Sequence, residues 1–477
     1  MRAASTTSVI DGRSSRMLIA TALLGLAVIG VSFGTVHMPW LVAGAVLGAC
    51  VMAIALTAPL ALVAAMLIIG PVDLSFMTGG FKALLPELGG LDMNGIRLLG
   101  ASAGFVAYIL FEPRSRAAAV GPLGRLWIVF LVYAGATIAM SLDPLEGLRL
   151  FLKLAYPFLT FLIVVGVADS RARLELLTRY TLVAAAVYAL VINPILAYQG
   201  GYRMDADGFL RIGGLGSGDN PFAFYLTIML LIVFTRFLLR AQVWYLLLCA
   251  ILVVWIALTV TRIAVLGAVV GLAVTGLLGA FAAKNRKVLI ASIAAAVIAT
   301  AVLLPNALTR SLGFVPTPAE LWALVRSPAA MYASINWQGR GVLWAILWAS
   351  IMSAPILGLG LGSSSAIIRE TFPDQTVLVA HNEYLRLATD TGILGVALFA
   401  AAVIAWLIGV VRLGARGDRT VREYAFPAAA GMVVWAIIAT TDNPLDYYSL
   451  FTQYIGFLVA GAVVAQTQAD KAAEPAV

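Results

Sequence analysis

Residues 242–281 read QVWYLLLCAILVVWIALTV, then Thr261-Arg262, then IAVLGAVVGLAVTGLLGAF. Each apolar run is long enough to cross a ~30 Å hydrocarbon layer as a helix. They meet at a two-residue polar junction, so the chain enters and leaves the membrane with no soluble domain between. Runs of this kind recur along the sequence, and the fold they dictate is all-α and polytopic. Of 477 residues 62% are hydrophobic, against 31 Lys and Arg and 23 Asp and Glu, a ratio no soluble surface can hide. The apolar residues are contiguous instead of alternating, which excludes a β-barrel. The net charge of +8 is read through its placement along the chain and does not point to nucleic acid. Cys50 and Cys249 both sit inside apolar runs, so no disulfide framework is expected.

Working outward from that junction, apolar runs between charges and Pro or Gly breaks place helices near 17–33, 39–56, 58–72, 95–111, 125–141, 150–168, 178–198, 221–238, 242–260, 263–281, 287–304, 387–411, 425–440 and 447–466. That is about 14 transmembrane helices (12–14), the break at Thr57-Ala58-Pro59 separating two short spans. With the N-terminus inside, inner segments carry 19 of the 31 basic residues, with the clearest votes from the basic turns 284–287 and 412–422. Both termini are then cytoplasmic. The organisation expected is an N-terminal tail at 1–16, helices 1–11 over 17–304, a periplasmic segment with in-plane helices over 305–386, helices 12–14 over 387–466, and a disordered polar tail at 467–477. The run 341–357, broken by Ser350, Ser353 and Pro355, reads as in-plane, because a further span there would carry the 412–422 turn to the outside.

No P-loop and no His-Glu-x-x-His motif is present, and the two histidines exclude a His-rich metal site. Asp205-Ala206-Asp207 is read as a solvated turn, so no metal site is expected. Gly358-Leu359-Gly360-Leu361-Gly362 has no βαβ context for a nucleotide and reads as a tight turn leading to Ser363. The cations at outer helix ends carry more information: Arg211, Arg262 and Arg340. A single arginine there commonly snorkels to headgroups. Several at one depth suit a polyanion, since the guanidinium fork matches phosphate oxygens. His381 lies among Asn382, Glu383 and Tyr384 at the outer face. Histidine is the side chain that takes up a hydroxyl proton near neutral pH without a large pKa shift. His37, in a short turn without such neighbours, reads as surface.

His381-Asn382-Glu383-Tyr384-Leu385, followed by Asp390-Thr391-Gly392-Ile393-Leu394-Gly395 and Phe399, resembles the His-Asn-x-Tyr-Leu…Glu-x-Gly-x-x-Gly signature of the O-antigen ligase and polymerase superfamily, with Asp390 replacing the more usual Glu. Gly339-Arg340-x-x-x-Trp344 and Pro355 to Gly360 resemble the segment upstream of that histidine. Thr261-Arg262 fits the family's Ser/Thr-Arg, and Arg211 with Gly213, Gly214, Asn220 and Pro221 fits its Arg…Gly…Asn/Pro loop. The matches span roughly 205–400; the first 200 residues agree only in hydropathy.

The resemblance implies a metal-independent, cofactor-free, inverting glycosyltransferase of the membrane-embedded GT-C type. It implies an active site on the periplasmic side of a bacterial inner membrane and a glycan donor carried on undecaprenyl pyrophosphate. Arg211, Arg262 and Arg340 would bind the pyrophosphate and His381 would activate the acceptor hydroxyl. Glu383 would orient the histidine or serve as the alternative base, with support from Asn220, Asn382 and Tyr384. The acceptor would be lipid A-core for an O-antigen ligase in lipopolysaccharide biosynthesis, or a second lipid-linked glycan for an O-antigen or exopolysaccharide polymerase. A lipid-linked sugar transporter or flippase is a third reading, disfavoured because the span centres are nearly free of charge.

Overall fold

The computed structural model describes residues 49–72, 93–200, 202–204, 210–213, 219–283, 286–312, 316–327, 340–373 and 379–474. The expected tail at 1–16, the span at 17–33, His37 and the Asp205–Asp207 pair lie outside the described residues, as does most of the span at 39–56. In chain order the helices are α1 (Ala49–Thr57), α2 (Pro59–Ile69), α3 (Met93–Phe111), α4 (Pro113–Val120), α5 (Arg125–Thr137), α6 (Pro144–Val167) and α7 (Arg171–Tyr198). A two-stranded antiparallel hairpin follows, β1 (Tyr202–Met204) and β2 (Leu210–Ile212), pairing Arg203 with Arg211. Then come α8 (Asp219–Arg240), α9 (Val243–Thr259), α10 (Arg262–Ala283), α11 (Arg286–Leu312), α12 (Pro318–Arg326), α13 (Arg340–Ser353), α14 (Ser363–Thr371), α15 (Glu383–Arg416), α16 (Arg419–Ile438) and α17 (Tyr448–Ala473).

Seven of these helices are long and apolar enough to cross a membrane, or nine if each of two bent pairs is one span. The chain is therefore a multi-pass membrane protein, but the expected fourteen spans are not reached among the described residues. Length accounts for three of them. Predicted spans at 95–111, 242–260 and 287–304 fall on apolar stretches of 10–17 residues, near the lower limit for crossing at 1.5 Å per residue. The break at Ala58 is real, with α1 and α2 bent by 119°. Helix α13, 14 residues long, extends only about 21 Å, too little to cross.

Two expected boundaries move. The segment placed outside from 305 begins within a helix, because α11 runs through Pro305 to Leu312 and is pinned near its end by Arg310, whose Nη1 donates to Val260 O at 2.8 Å. The tail expected to be disordered from 467 is helical to Ala473. There Gln468 Nε2 reaches Asp169 O at 2.7 Å and Gln466 bonds Asp470 one turn on, so polar residues that read as a loose end instead fasten the last helix to the start of α7.

Lipid tails are as apolar as leucine, so helices in a bilayer associate through close packing more than through water release. Gly271 on α10 illustrates this: a Cβ there would lie 2.7 Å from Leu231 and 2.9 Å from Val434. Phe399, a residue of the family signature, packs in an aromatic cluster with Trp127, Phe130 and Trp435. At one end of the bundle, Arg236 and Arg240 pair with Glu175 and Glu423, and Arg171 with Asp418. These are all residues that the charge count assigns to one side. At the opposite end lies a second polar cluster.

Candidate active site

The cluster is organised by the start of α15. Helix α15 begins at an N-cap, Asn382, whose Oδ1 accepts from Leu385 N at 3.0 Å, satisfying one of the amides a helix leaves open. The residue before it, His381, takes left-handed backbone, φ 48°, a conformation seldom adopted outside glycine and associated with functional positions. Trp344 of α13 holds this turn by donating its indole N–H to Ala380 O at 3.1 Å. Further along, α15 is broken at Gly392, φ 63°. A Cβ there would lie 2.1 Å from Ile356 O, so only glycine lets the 355–362 loop close on the helix. Asp390 completes that closure, accepting from Gly362 N at 3.0 Å and Ser364 N at 2.7 Å and so capping α14. The glycine run is thus a tight turn, with positive φ at Gly358, Gly360 and Gly362.

Opposite His381 stands Asp442, in the turn between α16 and α17. Its Oδ1 is 3.6 Å from His381 Nδ1, just beyond hydrogen-bond reach. Asp442 is fully buried and accepts from Asn220 Nδ2 (2.9 Å), Tyr447 Oη (3.1 Å) and Asn443 N (2.8 Å). A carboxylate has about four acceptor positions; Oδ1, the oxygen nearest the imidazole, holds two of these bonds and Oδ2 holds one. Burial and then Asp442 push the Tyr447 phenol well above its ordinary pKa, keeping it a donor. From the other side Asn382 holds the same turn, its Nδ2 donating to Thr440 O at 3.0 Å, and Tyr384 holds the last turn of α16 that leads into it, its Oη donating to Ala436 O at 2.9 Å. All three support residues read from sequence therefore converge on the segment that carries Asp442.

Glu383 is not the partner of His381. It is fully buried, bidentate to Arg386 at 2.7 Å for each bond, and it accepts from Leu445 N at 3.3 Å. Its carboxylate is committed to that pair. The expectation that Glu383 orients the histidine or replaces it as base is corrected by this geometry. Adjacent positions in sequence point different ways once the helix starts between them.

The arginines divide likewise. Arg211, on β2, is buried, and its guanidinium pairs with Asp219 at 3.0 Å while donating to Asn220 Oδ1 (3.0 Å), Thr261 Oγ1 (3.0 Å) and Thr259 O (2.9 Å). It staples the hairpin to the α9–α10 turn, and so many protein partners oppose its expected forked grip on a pyrophosphate. Arg211→Ala should leave the buried Asp219 uncompensated at a cost of about 3–5 kcal/mol, read as lost thermal stability of purified protein. A stable variant with weakened donor binding would restore the ligand role.

Arg262 opens α10, half-buried, beside that same turn. A cation at a helix N-terminus lies where the dipole favours an anion. Arg310, not singled out by the sequence reading, is buried and bonds the turn through Val260 O. Arg340 begins α13 and makes no hydrogen bond among the described residues. Burial pulls its pKa below the ordinary value; Asp442 and Tyr447 oppose this and Arg310 adds to it, so the two guanidinium groups and the carboxylate share one neighbourhood.

Residues 246–400 match the family model described as O-Antigen ligase. The chain carries a domain of the O-antigen ligase and polymerase superfamily. The O-antigen ligase match holds Arg262, Arg310, Arg340 and His381 but stops short of Asp442, which the fold brings to the histidine from beyond it. No curated protein matches the chain.

Proposed function

We propose that this protein is an inverting, metal-independent glycosyltransferase that moves a glycan from undecaprenyl pyrophosphate to lipid A-core, as an O-antigen ligase acting at the periplasmic face of a bacterial inner membrane. The observation that carries the proposal is His381 Nδ1 facing the buried Asp442 with Arg340 in electrostatic range of the same carboxylate. Asp442 favours a proton on Nδ1, leaving Nε2 to accept the proton of the acceptor hydroxyl. The hydroxyl oxygen attacks the anomeric carbon from the face opposite the pyrophosphate. The carbon–oxygen bond to the donor phosphate breaks, and its electron pair leaves on the phosphate oxygen, where Arg340, Arg310 and Arg262 stabilise it. The lipid pyrophosphate is its own leaving group, so neither nucleotide nor divalent metal is called for.

Purified protein supplied with a polyprenyl-pyrophosphate-linked glycan and lipid A-core should form capped core, and should do so equally in excess EDTA. Formation of lipid-linked polymer in place of capped core would make it a polymerase with the same donor and chemistry. Movement of the donor across a vesicle bilayer without any covalent product would overturn the enzymatic reading. For orientation, cysteines placed at the exposed positions Ala319 and Ala415, in a chain lacking Cys50 and Cys249, should differ. An impermeant thiol reagent added to intact cells reaches 319 and not 415; labelling at 415 would invert the topology.

A further inference from the structure

Beneath the His381–Asp442 pair lie four charges that the proposed chemistry does not use. Lys153 Nζ on α6 is 2.7 Å from Asp446 Oδ1, and Arg386 Nη1 on α15 is 2.9 Å from Asp446 Oδ2. Arg386 is at the same time bidentate to Glu383, whose Oε2 accepts from Leu445 N. The chain of contacts runs Lys153, Asp446, Arg386, Glu383, Leu445: two cations, two anions and a backbone amide. These contacts tie the turn 442–447, to which Asp442 belongs, to two long helices: α6 through Lys153, and α15 through Arg386 and Glu383. The turn's own bonds, Asp446 N to Asn443 O and Tyr447 N to Pro444 O, make it short and stiff, so a shift at 446 carries to 442.

Buried ion pairs contribute little net stability relative to apolar packing, because desolvation offsets the Coulombic gain. A four-charge chain beside a reacting group is better accounted for by placement. Burial works against the charge on Asp446, yet Arg386 and Lys153 hold its carboxyl well below the usual carboxylate range, so the turn's own link to α6 and α15 stays ionised.

We propose that Lys153, Asp446, Arg386 and Glu383 are positioning residues that set the distance from Asp442 to His381. This rests on the reading of those two residues as the proton-accepting pair. It differs from a purely structural role in one respect: its effect on turnover must pass through Asp442. A displacement near 1 Å at a reacting group lowers rate by up to ~10²-fold.

The test compares Asp446→Asn, alone and with Lys153→Gln, in the native chain and in an Asp442→Asn background, measuring kcat and donor Kd for purified, folded protein. The paired change removes one charge of each sign and leaves the Arg386–Glu383 pair whole. In the native background kcat should fall by about 10–10²-fold with donor Kd changed less than about threefold. In the Asp442→Asn background the same changes should lower kcat by less than about threefold, because the carboxylate they position is gone. Equal losses in both backgrounds would overturn the proposal, as would loss of donor affinity in step with kcat. Failure of both the single and the paired variant to accumulate as folded protein would also overturn it, since the cluster would then serve folding. Wild-type turnover in Asp442→Asn alone would overturn the site assignment itself, a result distinct from any of these.

Discussion

Replacing His381 with Ala should slow glycan transfer by ~10²–10⁴-fold, the usual span for removing a general base, while leaving donor affinity nearly unchanged. Rate and affinity separate because the imidazole acts on the acceptor hydroxyl and the guanidinium groups act on the pyrophosphate. Asp442→Asn should follow the same pattern with a loss of about 10² or more, since an amide neither favours the proton on Nδ1 nor stabilises an imidazolium. It also turns an N–H₂ toward Asn220 Nδ2, now 2.9 Å from the carboxylate oxygen. Measuring kcat and donor Kd for both purified variants checks the assignment. If His381→Ala weakens donor binding severely while its rate at saturating donor is native, the histidine is a pyrophosphate ligand and the base lies elsewhere.

The second large effect belongs to the arginines. Arg340→Ala and Arg310→Ala should each weaken donor binding by about 10–10²-fold, equivalent to one charged hydrogen bond at 1.5–3 kcal/mol. Lysine at 340 should recover only part of this, because a point charge cannot reproduce two parallel N–H bonds to phosphate oxygens. Arg310→Ala carries an added consequence, since it frees Val260 O and loosens the turn that places Arg262. Donor affinity at two ionic strengths distinguishes the two effects. Native affinity in Arg340→Ala would remove the pyrophosphate from this part of the molecule.

How much of this was legible beforehand depended on the range over which each feature is determined. Apolar runs are local, so the membrane class, most helix positions and the shortness of α13 followed from periodicity and length. The break at Ala58 was written in Pro59, and the turn at Gly358 to Gly362 in its glycines. His381 stood out through its polar neighbours and its motif. The helical end past 467 was not legible, because Gln468 finds its partner at Asp169, just before α7 and almost 300 residues earlier. The extension of α11 past Pro305 was missed for a similar reason: its Arg310 anchors to a turn fifty residues earlier.

By itself, then, the sequence determined an all-helical membrane protein whose residues 246–400 match the O-Antigen ligase model, with a histidine and arginines near its helix ends. Which of those residues face one another was decided only by the tertiary structure. Glu383 is two residues from His381, yet the helix that begins between them turns its carboxylate to Arg386. Asp442 lies sixty-one positions along the chain, and the return of α16 sets it against the imidazole. Arg211 and Arg340 carry the same guanidinium, yet Asp219 engages one, while the other makes no hydrogen bond among the described residues. A side chain's chemistry is fixed by its type, but its availability is fixed by what the fold packs against it, and in a bilayer a buried charge holds tightly to whatever partner it finds.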